Sequence, residues 1–157
     1  MDKIVYSTYI KATPARVFRH FTSGEGMDAW FTCGAQIEAK PGGKMHFRWV
    51  SFGAKRETSE DQGEVIEVLP DRRFVFTWQP GDSITTVSID FKAHADGCMV
   101  ELCESGYGES ERDRRMLLYC ACGWGEALTL LKFYLEHGVT YGVVPEVAEQ
   151  CGGQSAL

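Results

Sequence analysis

The stretch SERDRRMLLYCACGWGEALTLLKFYLEHG, residues 110–138, decides the fold. Leu117, Cys120/Ala121, Trp124, Ala127/Leu128, Leu131 and Tyr134/Leu135 recur at steps of three and four, which draws one apolar stripe along a single helix. Ser110, with Asp113 three positions on, supplies a capping box with the shorter acid. His137-Gly138 places a glycine just past the last turn. At about 1.5 Å per residue the span from Glu111 to His137 is roughly 40 Å long, enough to cross a whole sheet. A stripe of that length has to be buried against a surface of matching size. Gly123 and Gly125 each cost about 1 kcal/mol against alanine inside such a helix, and close approach around Trp124 is the expected reason for them.

The matching surface lies upstream. From Gly34 onward the chain alternates with period two: Ala35-Ile37-Ala39, then Met45-Phe47-Trp49 opposite Lys44-His46-Arg48. Glu64–Leu69, Arg73–Gln79, Ser83–Lys92 and Cys98–Glu104 continue the series. Pro41-Gly42-Gly43, Pro70-Asp71, Pro80-Gly81-Asp82 and Ala95-Asp96-Gly97 punctuate it. Links this short favour antiparallel neighbours, because parallel pairs need crossovers of a dozen residues or more. The polar stretch 51–61 is expected to be a long loop.

At the start, Ile4, Tyr6 and Ile10 share one parity of a first strand. Thr13-Pro14 then sets an N-cap and a proline at the first helical position, with Val17, Phe18 and Phe21 on one side. Ser23 to Phe31 is expected to form a second short helix. The fold class is therefore α+β: a curved antiparallel sheet wrapped around a long C-terminal helix, with two short helices after strand 1. Residues 1–140 are expected to form one domain and 141–157 a partly flexible C-terminal tail.

The chain has 157 residues, 44% hydrophobic and 24% charged, which excludes wholesale disorder. A net charge of −6 repels phosphate backbones and anionic lipid surfaces, so nucleic acid is not an expected partner. No stretch nears the roughly 18 consecutive apolar residues of a membrane span, and the opening residues lack a signal-like apolar run. A cytoplasmic protein is the expectation, with its six cysteines reduced. No His or Cys pair stands at metal-ligand spacing, so neither a metal nor a cofactor is expected.

Order and spacing together resemble a known family. Trp30-Phe31, Pro41-Gly42-Gly43-Lys44-Met45, Gly63 to Pro70, Phe74 to Trp78, and Gly123-Trp124 with Leu128, Leu131 and Leu135 are similar to the activator of heat-shock-protein-90 ATPase homologue-like family. That family lies within the SRPBCC superfamily, whose START-like members share the helix-grip fold. The resemblance spans about residues 3–137. It implies a cavity between sheet and long helix that holds a small hydrophobic ligand, and it adds a homodimer to the assemblies to expect. Its alternative is a protein-interaction module that regulates a chaperone or another ATPase in the stress response. Cyclase or hydrolase activity, found elsewhere in the superfamily, is not expected, because no acid–base pair is positioned by the sequence.

Candidate ligand contacts are Trp30, Phe47, Trp49, Phe76, Trp78, Val87, Ile89, Tyr119, Trp124 and Leu128. The four tryptophans come from elements that should converge on one interior space, and indole N–H groups can orient a ligand. Ordinary core packing explains the same residues, and an apolar strand face does not distinguish a packed core from a cavity wall. Tyr119 would add a hydroxyl. The facing of Glu101 and Arg48 depends on the register.

Overall fold

Seven strands and three helices follow one another in the computed structural model, which describes residues 2–140. β1 (Ile4–Ile10) leads into α1 (Pro14–Thr22) and α2 (Gly24–Asp28). β2 (Gln36–Ile37), β3 (Lys44–Phe52), β4 (Glu57–Leu69), β5 (Arg73–Trp78), β6 (Thr85–His94) and β7 (Gly97–Ser105) form the meander, and α3 (Glu111–His137) closes the fold. The sheet order is β1-β7-β6-β5-β4-β3-β2, antiparallel at every pair. This is the helix-grip fold, α+β as expected. The segment read as a tail, 141–157, lies outside the described residues.

The capping chemistry forms as the residue types dictate. Thr13 accepts from the Arg16 amide at 3.3 Å with Pro14 inside the first turn, and Ser110 accepts from the Asp113 amide at 3.0 Å. Gly138 ends α3 in the left-handed conformation (φ 66°), a region that favours glycine, and its N–H reaches Tyr134 O at 2.8 Å. Leu128 and Leu131 of α3 are fully buried against the sheet face that carries Val65, Val87, Ile89, Val100 and Leu102. Arg16 Nη1 donates to Leu135 O at 3.2 Å, tying α1 to the end of α3.

Three expectations are corrected. The second helix stops at Asp28, short of Phe31, because the N–H groups of Trp30, Phe31 and Thr32 all turn back onto Met27 O. Asp28 Oδ1 then gathers Gly34 N, Ala35 N and Thr32 Oγ1, which shapes the exit from the helix. The polar stretch 51–61 is largely the arm of a hairpin. Arg48 faces Glu60 and Trp49 faces Ser59, so β4 begins at Glu57 and only residues 53–56 turn. Its polar residues hid the strand, since exposure on both faces erases the period-two signal. Gly123, finally, has no packing reason: a methyl group there would meet nothing within 4 Å, and at Gly125 it would meet only Tyr6 at 3.7 Å.

Cys98, Cys103, Cys120 and Cys122 are free. Cys33 is disulfide-bonded, which corrects the expectation that all six cysteines are reduced. Cys151 lies outside the described residues.

Candidate functional site

The sheet bends toward α3, and aromatic side chains fill the space between them. Phe47 and Trp49 project from β3, Phe76 and Trp78 from β5, and Trp124 meets them from α3. Phe21, Met27 and Phe31 close one side, and Met45 and Phe74 the floor. Alternation along β3 puts Met45, Phe47 and Trp49 on one face of the sheet. The rings interlock: Phe47 lies 5.8 Å from Phe76 and 6.2 Å from Trp78, and Trp78 lies 5.9 Å from Trp124. The free space they leave is about 10 Å³, room for about one water. In this conformation the interior is closed by its own side chains.

Behind two of those rings, Trp78 and Trp124, lies a buried carboxyl. Glu104 of β7 is fully buried on the parity of Cys98, Val100 and Leu102. Its Oε1 accepts from Trp78 Nε1 and Thr85 Oγ1, each at 2.7 Å, and its Oε2 accepts from Trp124 Nε1 at 2.6 Å. A carboxyl with three neutral donors is thus shared between β5, β6 and α3. No Lys, Arg or His of the described residues forms an ion pair with it. Tyr107 and Cys120 stand within electrostatic reach. Burial pushes the Tyr107 phenol far above its ordinary value and the Cys120 thiol up to about 12. Asp61, opposite Phe47 in the register and half-buried, is raised chiefly by burial and further by the charge of Glu104.

Among the described residues, two buried side-chain atoms lack a partner in hydrogen-bond geometry, Trp49 Nε1 and the Tyr107 hydroxyl. A buried donor left unpaired costs about 1–3 kcal/mol. The Trp49 N–H, on the wall of the space, marks a place where an arriving acceptor would be favoured.

The structure sorts the sequence candidates into four groups. Phe47, Trp49, Phe76, Trp78 and Trp124 come together around the interior space. Trp30 is buried behind Phe31, stacked on it at 5.0 Å, with its indole N–H on His20 O. Val87, Ile89 and Leu128 are fully buried in solid core beside the space. Tyr119 is 70% exposed and turned away from the interior, a correction that follows from its position one residue before the buried Cys120 on α3. Glu101 pairs with Lys92, and Arg48 reaches Cys33 O and Glu60, so both sit on the outer face. Phe21, Met27, Phe31 and Phe74 were missed. Glu104 was missed too, although a signal existed: it is a carboxylate on the apolar parity of an alternating strand.

Among the described residues no group of three or more His, Cys, Asp or Glu side chains could hold a metal ion. His20 is satisfied locally, with Nδ1 2.7 Å from Arg16 O. No helix there is long and apolar enough to cross a membrane.

A family model described as activator of Hsp90 ATPase homolog 1-like protein matches residues 11–136. No curated protein matches the chain by sequence. Among solved structures, the Aha1 dimer from Colwellia psychrerythraea is similar at TM-score 0.73 and 21% identity, over 88% of this chain and 98% of that one. Protein MLL2253 from Mesorhizobium loti gives 0.72 and 17%, over 88% and 99%. CalU16 from Micromonospora echinospora gives 0.67 and 18%, over 96% and 83%. At these identities the likeness speaks to the fold.

Proposed function

The chain belongs to the activator of Hsp90 ATPase homolog 1-like family, and from that premise we propose that it binds a small hydrophobic molecule between the sheet and α3. The observation that carries this reading is Trp49: it walls the aromatic interior, yet its buried indole N–H has no acceptor. A ligand with an acceptor group would satisfy it, and burial of the ligand's apolar surface would supply most of the affinity at about 25 cal/mol per Å². Because the free space is about 10 Å³, entry requires rings to move. Phe31, Trp49 and Trp78 are the candidates, being only partly buried at the rim.

Native mass spectrometry of the full chain after incubation with a lipid and metabolite extract tests the reading. The expected result is a discrete adduct of small-molecule mass that is lost on unfolding and weakened in Trp49→Ala. Bare protein from every extract would overturn it.

For assembly, the Colwellia relative is described as a dimer. Leu118, Tyr119 and Phe133 are exposed on α3 within about 100° of one another around its axis, which supports a homodimer through that helix. Sedimentation velocity would show a species of twice the chain mass that becomes monomeric in Leu118→Glu. The chaperone-regulating alternative rests on the family's description alone.

A further inference from the structure

We propose that the ligand of this interior is an uncharged, flat aromatic molecule with one carbonyl acceptor, an aryl ketone in kind, seated with its carbonyl on the Trp49 indole N–H and its rings toward Phe74 and Met45. The inference rests on the ligand-binding reading above and adds the chemical class.

The first ground is hydrogen bonding. Three indoles wall the space, those of Trp49, Trp78 and Trp124. The N–H groups of Trp78 and Trp124 are already spent on Glu104, at 2.7 and 2.6 Å. The N–H of Trp49 is buried and has no acceptor in hydrogen-bond geometry. The other lining side chains are phenylalanines and methionines, which donate no hydrogen bond. The side chains of the wall therefore offer one free donor, and one ligand acceptor satisfies it. A second polar group on the ligand would be buried beside rings and thioethers without a partner, which is costly.

The second ground is charge. None of the side chains lining the space is ionisable. An ionised ligand group would exchange its hydration for an apolar wall with no counter-charge on it. A carboxylate would also accept from Trp49, but one neutral donor offsets only a small part of the cost of desolvating an anion. A carbonyl accepts the same hydrogen bond at a far smaller desolvation cost.

The third ground is shape. Eight of the ten lining side chains are aromatic. Phe47 is stacked with Trp49 at 5.7 Å, Phe31 stands edge-on to Trp49 at 5.5 Å, and Trp78 stands edge-on to Phe47 at 6.2 Å. Stacked and edge-on neighbours are the ones an added aromatic ring prefers. The free space is about 10 Å³, so a ligand enters by parting rings, and a flat molecule requires the smallest parting of a close-packed interior. Met27 and Met45, unbranched and adaptable, can yield room and lay sulfur against a ring edge. A rigid ring system also loses less conformational freedom on burial than an alkyl chain does. Orientation follows from depth: Trp49 is partly buried at the rim, whereas Met45 and Phe74 are buried at the floor.

The test titrates the full chain at pH 7 with 2-acetylnaphthalene and three probes of similar size: 2-ethylnaphthalene, which lacks the acceptor, 2-naphthoate, which is anionic, and 2-acetyldecalin, whose saturated rings are not flat. Amide and indole N–H resonances report binding. The Trp49 indole N–H is expected to move downfield with 2-acetylnaphthalene and not with 2-ethylnaphthalene. The naphthoate should bind more weakly than the ketone by about tenfold or more, and 2-acetyldecalin by about fivefold or more. Trp49→Phe keeps a ring at the rim, and should weaken the ketone by about fivefold or more while changing 2-ethylnaphthalene by about twofold or less. The indole resonance is read in the parent protein, so the test stands even if that variant folds poorly. An unmoved Trp49 N–H, equal losses for ketone and hydrocarbon in the variant, or naphthoate or decalin binding as tight as the ketone's would each overturn the inference and leave the hydrophobic-ligand reading standing. No binding of any probe also overturns the inference, and the reading beneath it falls only if every extract leaves the protein bare.

Discussion

Glu104 Oε2 on the last strand receives the indole N–H of Trp124 on the long helix at 2.6 Å, joining sheet and helix by a buried polar bond in an aromatic interior. Trp78 brings a second indole to the same carboxyl. Fold and candidate site therefore share one residue.

Replacing Glu104 by alanine would orphan two indole N–H groups and one hydroxyl. At about 1–3 kcal/mol per unsatisfied buried group, partly offset by rearrangement, a loss of about 3 kcal/mol or more is expected. Glu104→Gln should cost less, since its carbonyl oxygen still accepts from Trp78 and Thr85 while its amide faces the Trp124 N–H. Urea denaturation checks both, and an alanine variant within 1 kcal/mol of the parent, about the worth of one ordinary hydrogen bond, would sink the account.

Acid sensitivity should centre on Asp113. The Ser83 hydroxyl, followed by the amides of Ser83, Asp82 and Gly108, holds this carboxyl below its ordinary value and so ties the β5–β6 turn to the start of α3. A depressed folded-state value means stability that is present above the unfolded carboxyl's range and lost as pH falls through the folded value. Melting temperature against pH should therefore fall more steeply below about pH 4 for the parent than for Asp113→Asn. Parallel curves would refute the assignment.

The cysteines should separate by reactivity. Cys122 is exposed on α3, whereas Cys120 is buried and its thiol is pushed up to about 12. At pH 8 roughly one Cys120 in ten thousand is thiolate, and the thiolate is the reactive form. Brief treatment of the folded protein with iodoacetamide, mapped by peptide mass spectrometry, should modify Cys122 and spare Cys120. Equal labelling would show that the interior opens readily.

Two helix glycines should respond with opposite signs. At Gly123 a methyl group meets nothing within 4 Å, so Gly123→Ala is expected to stabilise by about 0.5–1 kcal/mol through helix propensity. At Gly26 it would stand 2.5 Å from Arg19 O and 2.8 Å from His20 Cα, so Gly26→Ala should destabilise by about 1–3 kcal/mol. The midpoints of urea unfolding give both signs directly.

Much of the architecture was legible in the residues. The three- and four-residue steps from Leu117 to Leu135 located α3, Ser110 and Gly138 set its observed ends at Glu111 and His137, and Thr13-Pro14 located the start of α1. Where reading failed, the local signal was absent. The outer arm of the β3–β4 hairpin is polar on both faces, and the second helix ends where amides converge on Met27 O, which spacing does not encode.

The candidate site divides along the same line. Periodicity is a property of neighbours in the chain, so it assigned Phe47, Trp49, Phe76, Trp78 and Trp124 to apolar faces and left core and cavity wall equally open. Only tertiary packing decided that these five close around about 10 Å³ while Tyr119 faces outward. It alone delivered Trp78 and Trp124, 26 and 20 positions from Glu104, to one carboxyl. The physical reason is range: side-chain alternation is set within a few residues, whereas strand register and the seating of a helix on a curved sheet are set by all of the contacts together.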